Sequence, residues 1–426
     1  VTTSEGGTVS SSEAWVAFGG EFTVTAMADD GYCFYRWVDD ETGDVLGSDA
    51  TLTLGVEKPY GMTAEFLSTS LIAYDSSVTD YTPIIRAVVK NVAAGAVVTL
   101  EEGVYLLAAP LVVDKAITLQ GAENGGTVLK ATYKCNAQNS SALTVSGGAT
   151  ISRVAITGGL SDNVWQAFGV GVTISSGTLS ECAVTNNVYA AGNEQGVGVY
   201  APVSGGATVT ITHCKICDNT SSASFNSTKG VGLYVEGNSS STFLMDNCLV
   251  SGNTSTSGNT STANCSGGGL WIKHDNAKIV NCTFTGNHHN NRGGGVYIDG
   301  GKPKFANCII AGNTAGNDED TSDYKPDISG NISTDITGGS FNNLVSTGVT
   351  VFGTDGLAED PLFETGSYQL QSDSPARNTG NKDKTLSELG CDLGGMLDFY
   401  GVPRVLENQV DIGCAEFVPD IAICAI

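Results

Sequence analysis

One short pattern, repeated between Gly196 and Asn313, limits what this chain can fold into more than any other feature. It reads Gly196-Val-Gly-Val-Tyr200, Gly230-Val-Gly-Leu-Tyr234, Gly267-Gly-Gly-Leu-Trp271 and Gly293-Gly-Gly-Val-Tyr297. Each copy is followed by a second phrase: Cys214-Lys-Ile-Cys-Asp-Asn219, Cys248-Leu-Val-Ser-Gly-Asn253, Cys282-Thr-Phe-Thr-Gly-Asn287 and Cys308-Ile-Ile-Ala-Gly-Asn313. Between the last two copies both phrases recur at one offset, since 297−271 and 308−282 both give 26. A period of roughly 20–50 residues signals a solenoid. Two apolar strand-like pieces per turn, with Gly and Asn at the corners and no helical periodicity, predict an all-β chain wound as a right-handed parallel β-helix.

Composition agrees and removes some functions. Gly is abundant at 55 and Pro scarce at 10, which suits many short strands. The net charge of −25 repels nucleic acid and anionic membrane alike. It suits an extracellular or cell-surface protein, or a site for cations. No run approaches the about 18 consecutive apolar residues of a spanning helix, so no membrane span is expected. The chain opens at Val1 without Met or a signal peptide and reads as processed or trimmed. Of its 12 cysteines, five fall on the repeat and need an explanation other than scattered disulfides.

Residues 1–68 read as a separate small β domain. Phe22-Thr-Val-Thr-Ala26 and Thr51-Leu-Thr-Leu54 alternate as half-buried strands do, with turn chemistry at Asp29-Asp-Gly31 and Glu41-Thr-Gly43. The phrases Gly6-Gly-Thr-Val9, Gly31-Tyr-Cys-Phe34, Trp37 and Met62-Thr-Ala-Glu-Phe66 resemble the divergent internalin-B-type bacterial repeat, a surface-protein module. Tyr32, Phe34 and Trp37 read as its core rather than as a ligand box.

The β-helix is expected over 69–358. A short helix should run from Thr82 as N-cap, with Pro83 first inside it, to Gly95. Strand-like pieces follow at Val97–Leu100, Gly103–Leu107, Leu111–Val113 and Ala116–Gly121. This passage resembles the start of a pectate-lyase-type β-helix, in which a helix covers the open end of the core. Upstream, Leu143-Thr-Val145 and Val172-Thr-Ile174 fall in the register of Val199-Tyr-Ala201, and Arg153 and Cys182 in that of Cys214. The steps along this row are 29, 32, 34, 34 and 26 residues, the excess being polar loops at Asp162–Ala167, Ser221–Thr228 and Ser255–Ser266. A further turn should include Asp327–Gly330 and Phe341–Val345.

Residues 359–426 form the expected end or cap region. Glu359-Asp-Pro-Leu-Phe363, Tyr368-Gln-Leu-Gln371, Ser374-Pro-Ala376, Asp392-Leu-Gly394, Pro403-Arg404 and Val410-Asp-Ile-Gly413 resemble the end of choice-of-anchor Q β-helix proteins, secreted bacterial surface proteins. The match departs at Arg377-Asn378 and at the inserted Met396–Gly401. The repeat phrases also resemble those of polymorphic outer-membrane adhesins. The final Val418–Ile426 is apolar and must be covered, as an added strand on its own β-helix or by head-to-tail addition to a neighbouring copy, which would build a filament. Cys391, Cys414 and Cys424 could pair in an oxidising compartment.

In a parallel β-helix, equivalent residues stack at about 4.8 Å, so each repeat position becomes a ladder. Alternation sends Val199, Leu233, Leu270 and Val296, with Ala201, Val235, Ile272 and Ile298, into the core. Tyr200, Tyr234, Trp271 and Tyr297 then stand outside as an aromatic ridge that could stack on the sugars of a polysaccharide or glycoprotein. Cys182, Cys214, Cys248, Cys282 and Cys308 share parity with inward apolar residues. They read as a reduced stack, because in-register side chains sit farther apart than the roughly 3.8 Å a disulfide wants between Cβ atoms. Asn187, Asn219, Asn253, Asn287 and Asn313 form a corner row whose amides can bond from coil to coil.

Chemistry is harder to find. The Asp-Asp and Gly-His-Gly signatures of β-helix polygalacturonases are absent, as is the paired-Arg motif of pectate lyases. The remaining constellation is Glu236, Lys273 and Asp299 on three successive coils beside the ridge. Its opposite charges also suit a plain surface ladder. His288, His289 and Arg292 could reach the same face. The acidic loop with Asp318, Glu319, Asp320 and Asp323 offers oxygens to Ca²⁺ without the spacing of a calcium loop. The expected function is a non-enzymatic adhesive or structural surface protein that binds glycan. A polysaccharide lyase or glycoside hydrolase and a self-assembling filament subunit are the alternatives.

Overall fold

The computed structural model describes residues 1–418 other than 136–139, 163–165, 191, 223–227, 257–265, 317–325, 331, 333–335, 337–338, 347–351 and 407. From Leu71 onward the chain returns again and again to three long sheets of ten, eight and nine strands. Neighbours within them pair in parallel, as in Tyr200↔Tyr234↔Trp271↔Tyr297 and Ile216↔Val250↔Phe284↔Ile310. One coil runs through Val199–Val203, Thr208–Thr212, Lys215–Cys217, Thr220–Ser221 and Thr228–Lys229, then reaches Leu233–Gly237 one level on. The fold is a parallel β-helix. Each coil holds three long-sheet strands where the repeat phrases mark two, because the third piece (Thr208–Thr212, Thr242–Asp246, Ala277–Val280) varies from coil to coil.

Two corners make the coil. At the first, Glu181, His213, Asn247, Asn281 and Asn307 lie at φ of 49–54°. At the second, Asn186, Asp218, Gly252, Gly286 and Gly312 lie at φ of 54–70°. This left-handed region is cheap only for Gly and, less so, Asn and Asp. The residue after each turn points inward, and these are the Cys and Asn rows. Arg153 is itself a turn residue (φ 54°). Ala155 pairs with Ala183, so Val154, not Arg153, stands in line with Cys182.

The two inward rows solve the same problem, since a corner leaves backbone groups without sheet partners. From Asn219 to Asn313 each Asn Oδ1 accepts from the backbone N–H and Nδ2 of the Asn one coil earlier, as Asn253 does from Asn219 at 3.2 and 2.9 Å. Nδ2 also donates back to the corner carbonyl, as from Asn253 to Ser251 at 3.2 Å. The Cys row copies this with sulfur. Cys214 N–H donates to Cys248 Sγ at 3.3 Å, and Cys248 Sγ donates to Asp246 O at 3.0 Å. At the end of the row Asn343 takes the cysteine's place and accepts from Cys308 N–H at 3.0 Å.

All five row cysteines are buried, and none of the described cysteines, Cys391 and Cys414 included, is in a disulfide. Burial pushes the Cys248 and Cys308 thiols well above their usual range, and the thiolate is the reactive form. A maleimide should leave the row unlabelled in the native protein and label all five members after denaturation without reductant. Row thiols that stay blocked after denaturation would mean they are bridged.

The glycines of the repeat have two duties. Gly196, Gly230, Gly267 and Gly293 sit at φ of 58–81°, where a Cβ would meet the carbonyl three residues on at 2.2–2.7 Å. At Gly198, Gly232, Gly269 and Gly295 a Cβ would strike an Asn Nδ2 of the ladder at 2.6–3.0 Å. The glycine phrase and the Asn corner are therefore packed face to face.

Thr82–Asn91 is helical and lays Ile85, Val88 and Val89 on the first coils. Its N-cap is Tyr81, one residue earlier than expected, and Asp80 Oδ1 accepts from Thr82 N–H at 2.8 Å. The N-terminal domain has a four-stranded and a three-stranded sheet. Trp37, fully buried, packs there with Val24, Met62, Ala64 and Phe66, and its Nε1–H donates to Asp49 O at 3.0 Å. Cys33 packs with Ile72, Tyr81 and Ile85, so this domain is joined to the coils by apolar contact.

The described residues of 359–417 cover the outside of the ten-stranded sheet and the adjoining end of the nine-stranded one. Leu370, Ala376 and Ile412 pack on Ile309, Ala311 and Leu344, while Leu389, Leu393 and Val410 pack on Val280, Ala306 and Phe341. Within this cover Arg404 is fully buried, with Nη1 2.9 Å from Glu416 Oε1 and Nη2 donating to the carbonyls of Asp411 and Gly413. The terminal segment from residue 419, with Cys424, lies outside the described residues.

Candidate functional site

The outward faces of the eight-stranded sheet carry the aromatic row. Its rings touch in series: Phe168 to Tyr200 at 5.0 Å, Tyr200 to Tyr234 at 5.5 Å, and Tyr234 to Trp271 at 4.2 Å with a 3° interplanar angle. Lys229 Nζ lies 4.9 Å from the Trp271 ring centroid. The row is a ladder outside the coil's core, but it is no open ridge. Tyr200, Tyr234, Trp271 and Tyr297 are only 9, 3, 2 and 8% exposed. Their faces are spent on one another, worth about 0.5–1.5 kcal/mol per good pair.

At the foot of the ladder, Glu236 accepts from the Tyr200 hydroxyl at 2.7 Å and from the Tyr234 hydroxyl at 3.0 Å. Burial, with Glu236 adding to it, raises both phenols, so they stay protonated donors. Lys273 Nζ is 3.7 Å from Asp299 Oδ2, with their side chains 59 and 35% exposed. Asp299 is not in register with Lys273. A bulge after Ile272 sets Lys273 opposite Gly300, which the regular spacing of the repeat did not reveal. Glu236 and Lys273 border an open depression with Pro202, Ser204 and Asn238.

His288 and His289 do not join this face. They form a two-residue strand of a six-stranded sheet, where His289 stacks in line with Ser221 and Ser255. His289 is fully buried, and burial pushes its imidazole down to about 3, so it is neutral. His288 is held by Thr314 Oγ1 and Asn290 Oδ1, both at 2.8 Å. The acidic candidates Asp318, Glu319, Asp320 and Asp323 lie outside the described residues. Among the described residues, no three metal-ligating side chains gather, and no helix is long and apolar enough to cross a membrane.

Sequence reasoning passed over a patch on the N-terminal domain. The segment before the strand Glu21–Ala28 holds Trp15 and Phe18, 102 and 84% exposed. They border a cleft of about 440 Å³ whose walls include Phe22, Leu54, Tyr60 and Met62. The signal was available: two large aromatics in a stretch with neither strand alternation nor helical period.

Residues 1–70 match the family model of the divergent InlB B-repeat domain. No curated protein matches the chain. Among solved structures it is similar to Geobacillus virus E2 ORF18, at 17% identity and TM-score 0.36, covering 68% of this chain and 59% of that one. It is also similar to pectate lyase Pel9A, at 13% identity and TM-score 0.38, covering 82% of this chain and 96% of that one. The family match is thus confined to the N-terminal domain, which is similar to divergent InlB B-repeat domains.

Proposed function

We propose that this chain is an extracellular or cell-surface β-helix protein with an adhesive role, which binds glycan without cleaving it. The observation that carries the reading is the state of the charged cluster. A β-helix hydrolase needs two free carboxyl groups about 5–9.5 Å apart on either side of a substrate. Here Glu236 is engaged by two tyrosine hydroxyls, and Asp299 faces Lys273 on an open surface. Paired, solvent-screened charges suit a structural surface. The N-terminal repeat-type domain supports a surface location, and a long stack of coils suits a rigid spacer that holds a binding module away from its base.

Incubation with a panel of acidic and neutral polysaccharides should release neither reducing ends nor unsaturated products. Turnover by the parent that Lys273→Ala abolishes would overturn the reading and move the chain to the polysaccharide lyases. Binding without turnover on a glycan array is the expected result.

A further inference from the structure

We propose that the glycan-contacting site is the Trp15–Phe18 patch of the N-terminal domain, and that its ligand is a neutral oligosaccharide. The proposal rests on the adhesive reading above and gives it a location. An indole at 102% and a phenyl ring at 84% exposure gain nothing from the domain's own core. Burial of each would be favourable, at roughly 25 cal/mol per Å² of apolar area. They stand beside a cleft of about 440 Å³, inside the roughly 300–1,000 Å³ range of small-ligand clefts. Unlike the buried ladder, this patch leaves whole ring faces open.

Polar groups select the chemistry. Ser12, Glu13, Glu57, Lys58 and Tyr60 line the same cleft. An apolar wall with a few convergent hydrogen-bonding groups fits a sugar, whose ring has a C–H face and a hydroxyl edge. Charge narrows the choice. Glu13 and Glu57 on the cleft stand against Lys58 and the Val1 ammonium, and both cations are already engaged: Lys58 Nζ lies 3.5 Å from Glu41 and 4.0 Å from Asp39, and Val1 N donates to Ser12 O at 2.7 Å. An acidic sugar would meet net repulsion, in a chain of net charge −25.

The test uses the full chain, an array of neutral oligomers (glucan, xylan, mannan, galactan, chitin) and an acidic set (oligogalacturonate, hyaluronan). The parent should bind a neutral oligomer with a blue shift in tryptophan emission. Trp37 and Trp271 are already buried and Trp165 lies outside the described residues, so the shift is assigned by Trp15→Phe, which should remove it. Trp15→Ala and Phe18→Ala should each weaken binding about tenfold, the effect of losing ~1.4 kcal/mol of contact. Both should leave the melting temperature unchanged, because neither ring packs in the core. If the parent binds and the Trp15→Ala/Phe18→Ala double variant binds equally well, the location is wrong while the adhesive reading stands. If the parent binds no glycan, both fail. Preference for the acidic set would overturn the charge argument. Self-association in sedimentation that Trp15→Ala abolishes, with no glycan bound, would assign the patch to a second copy instead.

Discussion

At pH 9, where Glu416 is ionised, Arg404→Leu should lower the unfolding free energy by about 3–5 kcal/mol, the loss expected when one partner of a buried ion pair is removed. Arg404 and Glu416 are both buried, with their charged atoms 2.9 Å apart. No second carboxylate lies within ion-pair distance of Arg404 among the described residues. The guanidinium also holds two carbonyls, those of Asp411 and Gly413, in the turn that lies on the ten-stranded sheet. Without it, Glu416 is left buried beside the carboxyl groups of Asp411 and Asp398 with no cation to offset them. The double variant Arg404→Leu/Glu416→Leu should recover part of the loss, since no charge is then left unpaired. Recovery is incomplete because Glu416 also accepts from Asp411 N–H. Urea titrations of the three proteins would measure this, and a double variant no better than the single would point to the lost carbonyl contacts alone.

The pH dependence follows from the same pair. Burial pushes the Glu416 carboxyl up to about 8, against the pull of Arg404. An acid whose folded value lies above its unfolded one binds more protons when native, so its contribution to stability falls as pH rises through that window. Removing Arg404 removes the opposing pull. The deficit of Arg404→Leu should therefore be larger at pH 9 than at pH 5. An equal deficit at both would mean that Glu416 does not respond to its partner.

The parts legible in the sequence were those fixed by nearest-neighbour geometry. Alternation placed Val199, Leu233, Leu270 and Val296 in the core, and all four are fully buried. The recurring phrase at Tyr234, Trp271 and Tyr297, with its matched spacing in the last two copies, gave the coil register. What could not be read depended on contacts between distant segments. Parity assigns the aromatic row outward but does not say whether an outward face is covered. Doublets such as Leu249-Val250, Ile309-Ile310 and Leu344-Val345 did hold that information. An apolar residue on both faces of one strand needs a second layer, and residues 359–417 supply it over Ile309 and Leu344. The bulge at Asp299 and the one-residue offset at Arg153 arose where a regular period was extended over an irregular backbone. Parity marks the cysteines only as small inward groups, whereas their hydrogen bonds to corner backbone explain why sulfur and amide can share a row.

Asn253→Leu should cost about 3–5 kcal/mol, although the two side chains have the same number of non-hydrogen atoms and the same branching. Orphaning a buried polar group costs roughly 1–3 kcal/mol, and this substitution strips several at once. Asn219 loses the acceptor for its N–H and for one Nδ2 bond, at 3.2 and 2.9 Å. The carbonyls of Ile216 and Ser251 lose donors at 2.9 and 3.2 Å. Asn253→Asp should be nearly as harmful. It keeps the acceptor facing Asn219 but turns a carboxylate oxygen toward Asn287 Oδ1, now 2.9 Å from Asn253 Nδ2. The chain shows where a carboxylate is tolerated. Asp327 closes the ladder, accepting from Asn313 N–H and Nδ2 at 3.0 and 2.9 Å, and Ser346 Oγ donates to its other oxygen. Burial still raises its carboxyl, so the stability it contributes declines as pH rises above the unfolded value of about 3.9. Asp327→Asn should accordingly be more stable than the parent at pH 7 and no better at pH 3. Thermal melts at the two pH values decide it, and a gain at pH 3 with none at pH 7 would reverse the assignment.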